Sequence, residues 1–305
     1  MSSKPNGSMK ERRHADSTNI DRLATNDMLA LINQQDKQVA DAITACLPDI
    51  ARLVDSASAV ANRGGRVICI GAGASGLAAV QFASGFAQDN THPLVGMMAG
   101  GANATVAVQE VAASNYERGA HDLQQLRFSA NDMLIALSVS GKTPWTWGAL
   151  RYAWSMGARV ALVCRGHDSE AAQLADIVLA PEIGAEVVSG FSEPKARLAQ
   201  QQILNMLATG LAIRTGRVYS NLRVDVQASN VHWAERQIAI VMAATECTRE
   251  QAKSALEASH HHCRPAILML LTGLPAGQAQ AILAENHDQL RIALQEATLQ
   301  HADSE

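Results

Sequence analysis

The chain has 305 residues, a formal net charge of −4, 48% hydrophobic residues and 18% charged residues, the composition of a globular protein rather than a disordered one. Because acidic groups are in slight excess, we exclude bulk electrostatic capture of DNA or RNA and expect no nucleic-acid partner. No apolar run approaches the roughly 18 residues of a membrane span, so we expect no membrane partner. Five widely spaced cysteines without a CxxC pair favour reduced thiols and a cytoplasmic location.

The elements, taken in chain order, predict an α/β protein. Residues 1–19 are polar and predict a flexible arm, and apolar residues at helical spacing between residues 21 and 61 predict two or three helices. Strands and helices then alternate to about residue 215, which predicts a mostly parallel sheet covered by helices on both faces. The predicted strands are 66–70, 93–98, 132–137, 159–163 and 176–179, and the main predicted helices are 75–87, 143–156 and 195–215.

The last sixty or so residues form a different pattern, with short amphipathic segments separated by turn signals. They predict a small appendage of about three or four helices. We therefore divide the chain into the flexible arm, an α/β domain with N-terminal helices at 20–240, and a small helical C-terminal domain at 241–305.

A glycine-rich loop follows the first predicted strand and opens a helix. It reads Gly71-Ala72-Gly73-Ala74-Ser75-Gly76, and the backbone N–H groups of such a turn, together with the helix N-terminus, favour an anion. The spacing also matches the GxGxxG fingerprint of dinucleotide sites. Those sites need an acidic residue at the end of the second strand, where residues 98–103 contain none. A phosphate site is therefore preferred, with a dinucleotide site and a turn without a ligand as the alternatives.

A second polar loop follows the third predicted strand. Ser138, Ser140 and Thr143 place three hydroxyls within six residues, ahead of a predicted helix. Because open α/β sheets bind ligands at the carboxyl ends of their strands, we expect both loops at one edge of the sheet. Hydroxyls and backbone amides suit phosphate oxygens, so the two loops predict a cradle for a phosphate monoester. An N-capped helix start without a ligand is the alternative, and Lys142 is the nearby cation, although a loop lysine is more often solvated.

Both loops resemble those of the sugar isomerase (SIS) domain, where they form the phosphosugar site. Further segments resemble the N-acetylmuramic acid 6-phosphate etherase family, which is related to glucokinase regulatory protein. The segments are DRLATNDMLALINQQDKQVADAI, GGRVICIGAGASG, GAEVVSG, ILNMLATGLAIRTGRVYSNLRVDVQASN and RPAILMLLTGL. The resemblance extends from about Glu11 to about Ala293, nearly the whole chain, and the chain is identified as a member of this family.

The resemblance implies a SIS-type sheet between helices, followed by a helical tail similar to a ubiquitin-associated domain. It also implies a homodimer, a phosphorylated amino sugar as ligand, and a place in amino-sugar metabolism and peptidoglycan recycling. The family reaction eliminates D-lactate from C3 of the sugar and then adds water, leaving N-acetylglucosamine 6-phosphate. Proton removal at C2 and protonation of the leaving oxygen need paired acid and base groups, which carboxylates supply. We expect no cofactor and no metal.

The binding half of the family site is retained. Matched residue by residue, the positions for substrate and phosphate binding are Gly73, Ser75, Ser138, Ser140, Thr143, Glu186 and Lys195. For Glu186, in the GAEVVSG segment, the resemblance implies contact with sugar hydroxyls.

The catalytic half departs from the family. One acid/base glutamate is replaced by Gly85 and the other by Ala113, and each such group contributes about 10²–10⁴-fold to a rate. The arginine after the first loop is Leu77, Phe191 replaces a small polar residue, and residues 192–194 replace a basic segment. The catalytic residues are therefore unknown.

Three functions remain open. The first is a phosphosugar-binding sensor or regulator without efficient etherase catalysis, as in glucokinase regulatory protein. The second is an enzyme with shifted chemistry, either a divergent etherase (a carbon–oxygen lyase) or a phosphosugar isomerase, in which Glu110, Asp89 or His121 replaces the missing groups. The third is a structural or partner-binding role with a vestigial pocket. Loss of both proton carriers beside a retained phosphate cradle favours the first.

Overall fold

The computed structural model describes residues 13–84, 93–190 and 193–302. They divide into two compact units, the first containing the described residues up to Ala208 and the second those from Thr209 onwards. The predicted α/β class is confirmed in the first unit, and the predicted helical appendage forms most of the second.

A parallel sheet, five-stranded in the described part of the chain, forms the centre of the first unit. Its strand order is β2-β1-β3-β4-β5, and every neighbouring pair runs parallel, as predicted. The strands are β1 Val67–Gly71, β2 Leu94–Met98, β3 Met133–Leu137, β4 Arg159–Val163 and β5 Ile177–Leu179. β1 and β3 are buried along their whole length because helices cover both faces of such a sheet.

Helices precede, connect and follow these strands. They are α1 Thr25–Ala45, α2 Leu47–Asn62, α3 Gly73–Ser84, α4 Val106–Ala113, α5 Tyr116–Gln125, α6 Pro144–Ser155, α7 Glu170–Leu174 and α8 Pro194–Arg214. α3 contacts β1 and β2, whereas α6 contacts β3 and β4. The crossover through α3 leads from β1 to β2, and the crossover through α6 leads from β3 to β4, towards the opposite edge of the sheet. Because crossovers between parallel strands are right-handed, α3 and α6 cover opposite faces of the sheet.

The described end of the predicted arm is attached to the first unit. Short 3-10 turns occupy Ala15–Ser17 and Ile20–Arg22. The Ser17 side chain is buried, and its hydroxyl donates a hydrogen bond to the Val187 carbonyl at 2.6 Å. The flexible arm predicted at residues 1–19 therefore does not extend to residue 17, and residues 1–12 lie outside the described residues.

The second unit consists of helices and a short antiparallel hairpin. Its elements are β6 Val218–Tyr219, β7 Leu222–Arg223, α9 Val231–Thr245, α10 Arg249–Ala258, α11 Cys263–Thr272, α12 Ala276–Glu285 and α13 Leu290–Ala302. The unit begins before the predicted boundary at 240/241 because Val224, Val226 and Ile238 share one buried core with the C-terminal helices.

The most apolar helices of the second unit are α11 and α12. Ala266, Ile267 and Leu268 of α11 are fully buried in the core of that unit. No single described helix combines the length and the apolar composition needed to cross a membrane. α11 and α12 meet those two criteria only as a pair, which is bent by 112°.

Candidate functional site

A cleft lies where the strand order of the sheet reverses. The connections after β1 and β3 leave towards opposite edges of the sheet, so the loops that follow these strands diverge and leave a crevice at the carboxyl edge. The cleft has a volume of about 290 Å³ and receives residues from both polar loops. Its lining comprises Ala72, Ala74, Ser75, Leu137, Ser138, Val139, Ser140, Thr143, Glu193 and Arg197.

Close packing explains the glycines of the first loop. A Cβ at Gly71 would lie 2.6 Å from the backbone of Ser75, and one at Gly76 would lie 2.5 Å from Met98 Cγ. Gly73 has a φ of 54°, in the left-handed region that glycine adopts at little cost, and α3 begins there. The glycines thus let β1 turn directly into α3, whose N-terminus lies at the cleft and favours an anion.

Substitution of Gly76 by alanine is expected to lower the free energy of unfolding by about 1–3 kcal/mol, because the added methyl group overpacks the contact between α3 and β2. Urea denaturation measures the change. Gly166→Ala is the control, since its Cβ would meet no atom within 4 Å, and its effect should stay within about 0.5 kcal/mol. Equal losses in the two variants would contradict the packing argument.

The second loop presents its hydroxyls to the cleft rather than to the helix that follows. Thr143 occupies the N-cap position of α6 but makes no capping hydrogen bond, and its hydroxyl instead lies 3.1 Å from the Ser138 hydroxyl. Ser140 is exposed, and its oxygen accepts a hydrogen bond from the Lys142 backbone N–H at 3.2 Å. Because the Thr143 hydroxyl does not cap α6, the structure does not favour the alternative of an N-capped helix start without a ligand. The Lys142 side chain is exposed and does not line the cleft.

Helix α8 supplies the remaining wall of the cleft. The buried Ser75 hydroxyl donates to Oε1 of Gln200 at 3.0 Å, which ties the first loop to this helix. Arg197 and Gln200 are three residues apart and lie on one face of α8, and Glu193, which directly precedes the helix, continues that face four residues before Arg197. Glu193 and Arg197 therefore reach the cleft together with the hydroxyls.

The sequence pattern did not predict the two charged residues that line the cleft at this wall, Glu193 just before α8 and Arg197 within it. In the sequence, residues 192–194 indicate only the loss of a basic segment. The signal that finds them is the helical spacing of Arg197 relative to Gln200 and Glu193, which is informative only once the contact of α8 with Ser75 is known. The cleft thus combines four hydroxyls with one guanidinium and one carboxylate.

Glu186 and Lys195 stabilise the start of α8 and do not line the cleft. The carboxylate oxygens of buried Glu186 accept hydrogen bonds from the backbone N–H groups of Lys195 and Ala196, both at 3.1 Å. Lys195 Nζ donates to Gln35 Oε1 and to the Ala185 carbonyl, also at 3.1 Å. Burial lowers the pKa of Lys195. These two predicted ligand-binding residues therefore act within the protein interior in this structure.

Comparison with known proteins identifies relatives of the chain. A family model described as the glucokinase regulatory protein N-terminal SIS domain matches residues 49–154. The chain is 48% identical to N-acetylmuramic acid 6-phosphate etherase of Klebsiella aerogenes and 47% identical to that of Photorhabdus laumondii subsp. laumondii. Each alignment covers 94% of this chain and 96% of the relative. The chain belongs to the N-acetylmuramic acid 6-phosphate etherase family.

In this member of the etherase family, the region that matches the SIS family model extends from α2 to α6 and therefore contains both polar loops. Among solved structures, a phosphoheptose isomerase from Francisella tularensis has a TM-score of 0.49 and 19% identity, covering 62% of this chain and 98% of that one. That likeness concerns the fold alone.

The positions to which the family resemblance assigns acid and base carry no carboxylate. Ala113 ends α4 and packs against the core of the first unit, whereas Gly85 lies outside the described residues. Of the candidate replacements, Glu110 and His121 are exposed and do not line the cleft, and Asp89 lies outside the described residues. Phe191 also lies outside them. Among the described residues, the carboxylate that lines the cleft is that of Glu193.

Proposed function

We propose that the chain binds an amino-sugar 6-phosphate in this cleft without efficient etherase catalysis, as a sensor or regulator. The observation that carries the proposal is a cleft lined by Ser75, Ser138, Ser140 and Thr143 in a chain whose family acid/base positions are Gly85 and Ala113. These two features support binding of a phosphosugar without the proton transfer of the family reaction.

The cradle has the donors that a phosphate dianion requires. Hydroxyls of both loops and the N-termini of α3 and α6 converge on the cleft, and both helices favour negative charge at that end. Arg197 adds a full positive charge from α8. This guanidinium lies one helical turn beyond the segment 192–194, where the family resemblance implies basic residues, and it compensates for their loss.

The proton carriers are the missing part. Elimination of lactate needs a base at the sugar C2 and an acid at the leaving oxygen, and each is worth about 10²–10⁴-fold in rate. Neither glycine nor alanine carries a titratable group. A chain of this kind is expected to hold its ligand without converting it.

The deciding experiment incubates the purified protein with N-acetylmuramic acid 6-phosphate while D-lactate and thermal stability are both recorded. We expect a raised Tm without lactate at an enzyme-like rate, because a ligand that binds only the native state stabilises it. N-acetylglucosamine, which lacks the phosphate, is the control and should leave Tm unchanged. Lactate release at an enzyme-like rate would show that the chemistry uses other residues, and an unchanged Tm would favour a vestigial pocket.

A divergent lyase is the second candidate, and Glu193 is the observation that favours it. Its carboxylate lines the cleft and is partly buried, which places an acid or base group near a bound sugar. In that case Glu193→Gln would abolish lactate release while the ligand-induced rise in Tm persists. An unchanged rate in this variant would eliminate Glu193 as the replacement group.

Replacement of Ser140 by alanine is expected to weaken phosphosugar binding by at least about 1 kcal/mol, because it deletes a hydrogen bond to a charged acceptor. Isothermal titration calorimetry measures the change. The matched control is Ser155→Ala at the opposite end of α6, where the exposed hydroxyl bonds only the Tyr152 carbonyl. Unchanged affinity in Ser140→Ala would remove the second loop from the site.

A cytoplasmic homodimer is the setting that we propose for this activity. The family resemblance implies a dimer, and exposed apolar side chains on α3 and α4 support it: Leu77, Val106 and Val111 are 57%, 70% and 73% exposed. Five cysteines without disulfide partners fit a reducing compartment. Multi-angle light scattering of Val106→Ser/Val111→Ser against the unchanged protein tests the dimer, which the double variant should weaken.

A further inference from the structure

A small cavity lies beside the cleft, at the same carboxyl edge of the sheet. Its volume is about 10 Å³, room for one water-sized sphere, and Val139 borders both the cavity and the cleft. Arg165 and Gln200 contribute its polar side chains, and apart from the Cys164 thiol the other side chains of the lining are apolar. The cavity is thus too small for a sugar or a phosphate but is bordered by a guanidinium.

The polar side chains of the cavity present N–H groups that lack acceptors. Arg165 is only 8% exposed, and its Nη2 donates to the Gly184 carbonyl, whereas Nε and Nη1 are buried without a partner among the described residues. Gln200 is 3% exposed; its Oε1 accepts from Ser75, and its Nε2 likewise has no partner. Buried N–H groups that stay unpaired are destabilising, so this arrangement indicates an acceptor in the cavity.

The guanidinium of Arg165 has no carboxylate partner of its own. Within the described residues Arg165 forms no ion pair, and the second buried cation, Lys195, bonds only neutral oxygens. Burial lowers the pKa of Lys195, the nearby carboxylate of Glu186 opposes that shift, and Arg165 adds to it. Glu186 is the buried carboxylate near Lys195, and its oxygens are already occupied by backbone N–H groups. Asp36 is a second acidic neighbour of Lys195. Among the described residues neither carboxylate bonds Arg165, so a further negative charge would pair with its guanidinium.

We propose that Arg165 and Gln200 bind a small inorganic anion of halide size in this cavity. Such an ion accepts hydrogen bonds from several N–H groups and donates none, which matches the unpaired N–H donors of these side chains. It also supplies the negative charge that the buried guanidinium lacks. A water molecule would also need acceptors for its own two hydrogens, whereas Arg165 has none and the Oε1 of Gln200 already accepts from Ser75. The site is separate from the proposed phosphosugar cleft and does not depend on that ligand.

Thermal unfolding of the full chain tests the site with chloride and bromide as probes. The protein is exchanged into sodium gluconate and titrated with sodium chloride or bromide at constant ionic strength. Both halides should raise Tm by several degrees and reach saturation, because they bind the native state, whereas gluconate is too large for the cavity. Arg165→Met should abolish the response. Arg159→Gln, which removes an exposed arginine from the opposite end of β4, should retain it.

Crystals soaked in bromide provide a test that does not depend on the folding of a variant. An anomalous bromine peak in contact with Arg165 and Gln200 is the expected result. A halide response that is absent, or equal in Arg165→Met and the unchanged protein, would overturn the proposal. A cavity peak without anomalous signal would identify a water molecule instead and overturn it equally.

Discussion

Replacement of Asp132 by alanine is expected to lower the free energy of unfolding by about 3 kcal/mol, because it removes the buried partner of an ion pair with half-buried Arg66 and leaves several donors unsatisfied. Asp132 is 3% exposed and directly precedes β3, beside Arg66, which directly precedes β1. Arg66 donates from Nε to Oδ1 at 3.1 Å and from Nη2 to Oδ2 at 2.8 Å. The backbone N–H groups of Arg66 and Ser129 also donate to this carboxylate, at 3.0 and 2.9 Å. The substitution leaves all these donors without their acceptor.

The contribution of Asp132 should depend on pH. Burial opposes ionisation, but hydrogen bonds from Arg66 and Ser129 outweigh it and hold the pKa of the Asp132 carboxyl below its usual value. A carboxyl with a lower pKa in the folded state stabilises the protein fully above its unfolded pKa, about 3.9. That stability is lost as the pH falls through the folded pKa. Urea denaturation at neutral pH and at steps below about pH 5 should therefore show a shallower loss in Asp132→Ala than in the unchanged protein.

An exposed ion pair gives the control for Asp132. Asp49 accepts from Arg52 at 2.9 Å on the surface of α2, with its side chain 47% exposed, so Asp49→Ala should cost less than about 1 kcal/mol. Phosphosugar affinity should not change in Asp132→Ala under conditions where the variant is folded, because Asp132 precedes β3 and the cleft follows it. Comparable stability losses in the two variants would contradict the role of burial.

The sheet was predictable because strands covered on both faces are continuous apolar runs. The predicted strand 66–70 is an apolar run followed by Gly71, and the structure shifts it by only one residue, to Val67–Gly71, which is buried along its whole length. The position of the polar loops that follow β1 and β3 could also be predicted from the sequence, since parallel strands bring their carboxyl ends to one edge of the sheet. Ser75, Ser138, Ser140 and Thr143 therefore lie where the strand pattern predicts.

The wall formed by α8 could not be predicted in the same way. Glu186 and Lys195 have the residue types of a sugar site, but their hydrogen bonds are made inside the protein, where Glu186 accepts the first N–H groups of the helix. Which face of α8 meets the cleft is decided by a contact between residues 75 and 200, and no local pattern encodes it. The division of the structure near residue 209 has the same origin, since Val224 and Val226 join the second core through contacts that are distant in sequence.

Replacement of Arg197 by glutamine is expected to weaken phosphosugar binding about 10- to 100-fold, the loss typical of one hydrogen bond to a charged group, about 1.5–3 kcal/mol. Arg197 is the cation that lines the cleft within the described residues, and it reaches the hydroxyl cradle from the face of α8 that contacts Ser75. Calorimetry with N-acetylmuramic acid 6-phosphate measures the loss. The variant should also lose part of the salt dependence of binding, since one charge interaction is removed.

Lys142→Gln is the matched control for Arg197→Gln, because it removes the same charge from the second loop at an exposed position outside the cleft. The affinity of the Lys142→Gln variant for N-acetylmuramic acid 6-phosphate should change less than about twofold, as expected of a solvated charge. If the two variants weaken binding equally, the effect is one of overall charge and Arg197 makes no direct contact. If only Arg197→Gln weakens binding, the guanidinium of Arg197 contacts the ligand and takes the place of the basic segment that the family resemblance implies before Lys195.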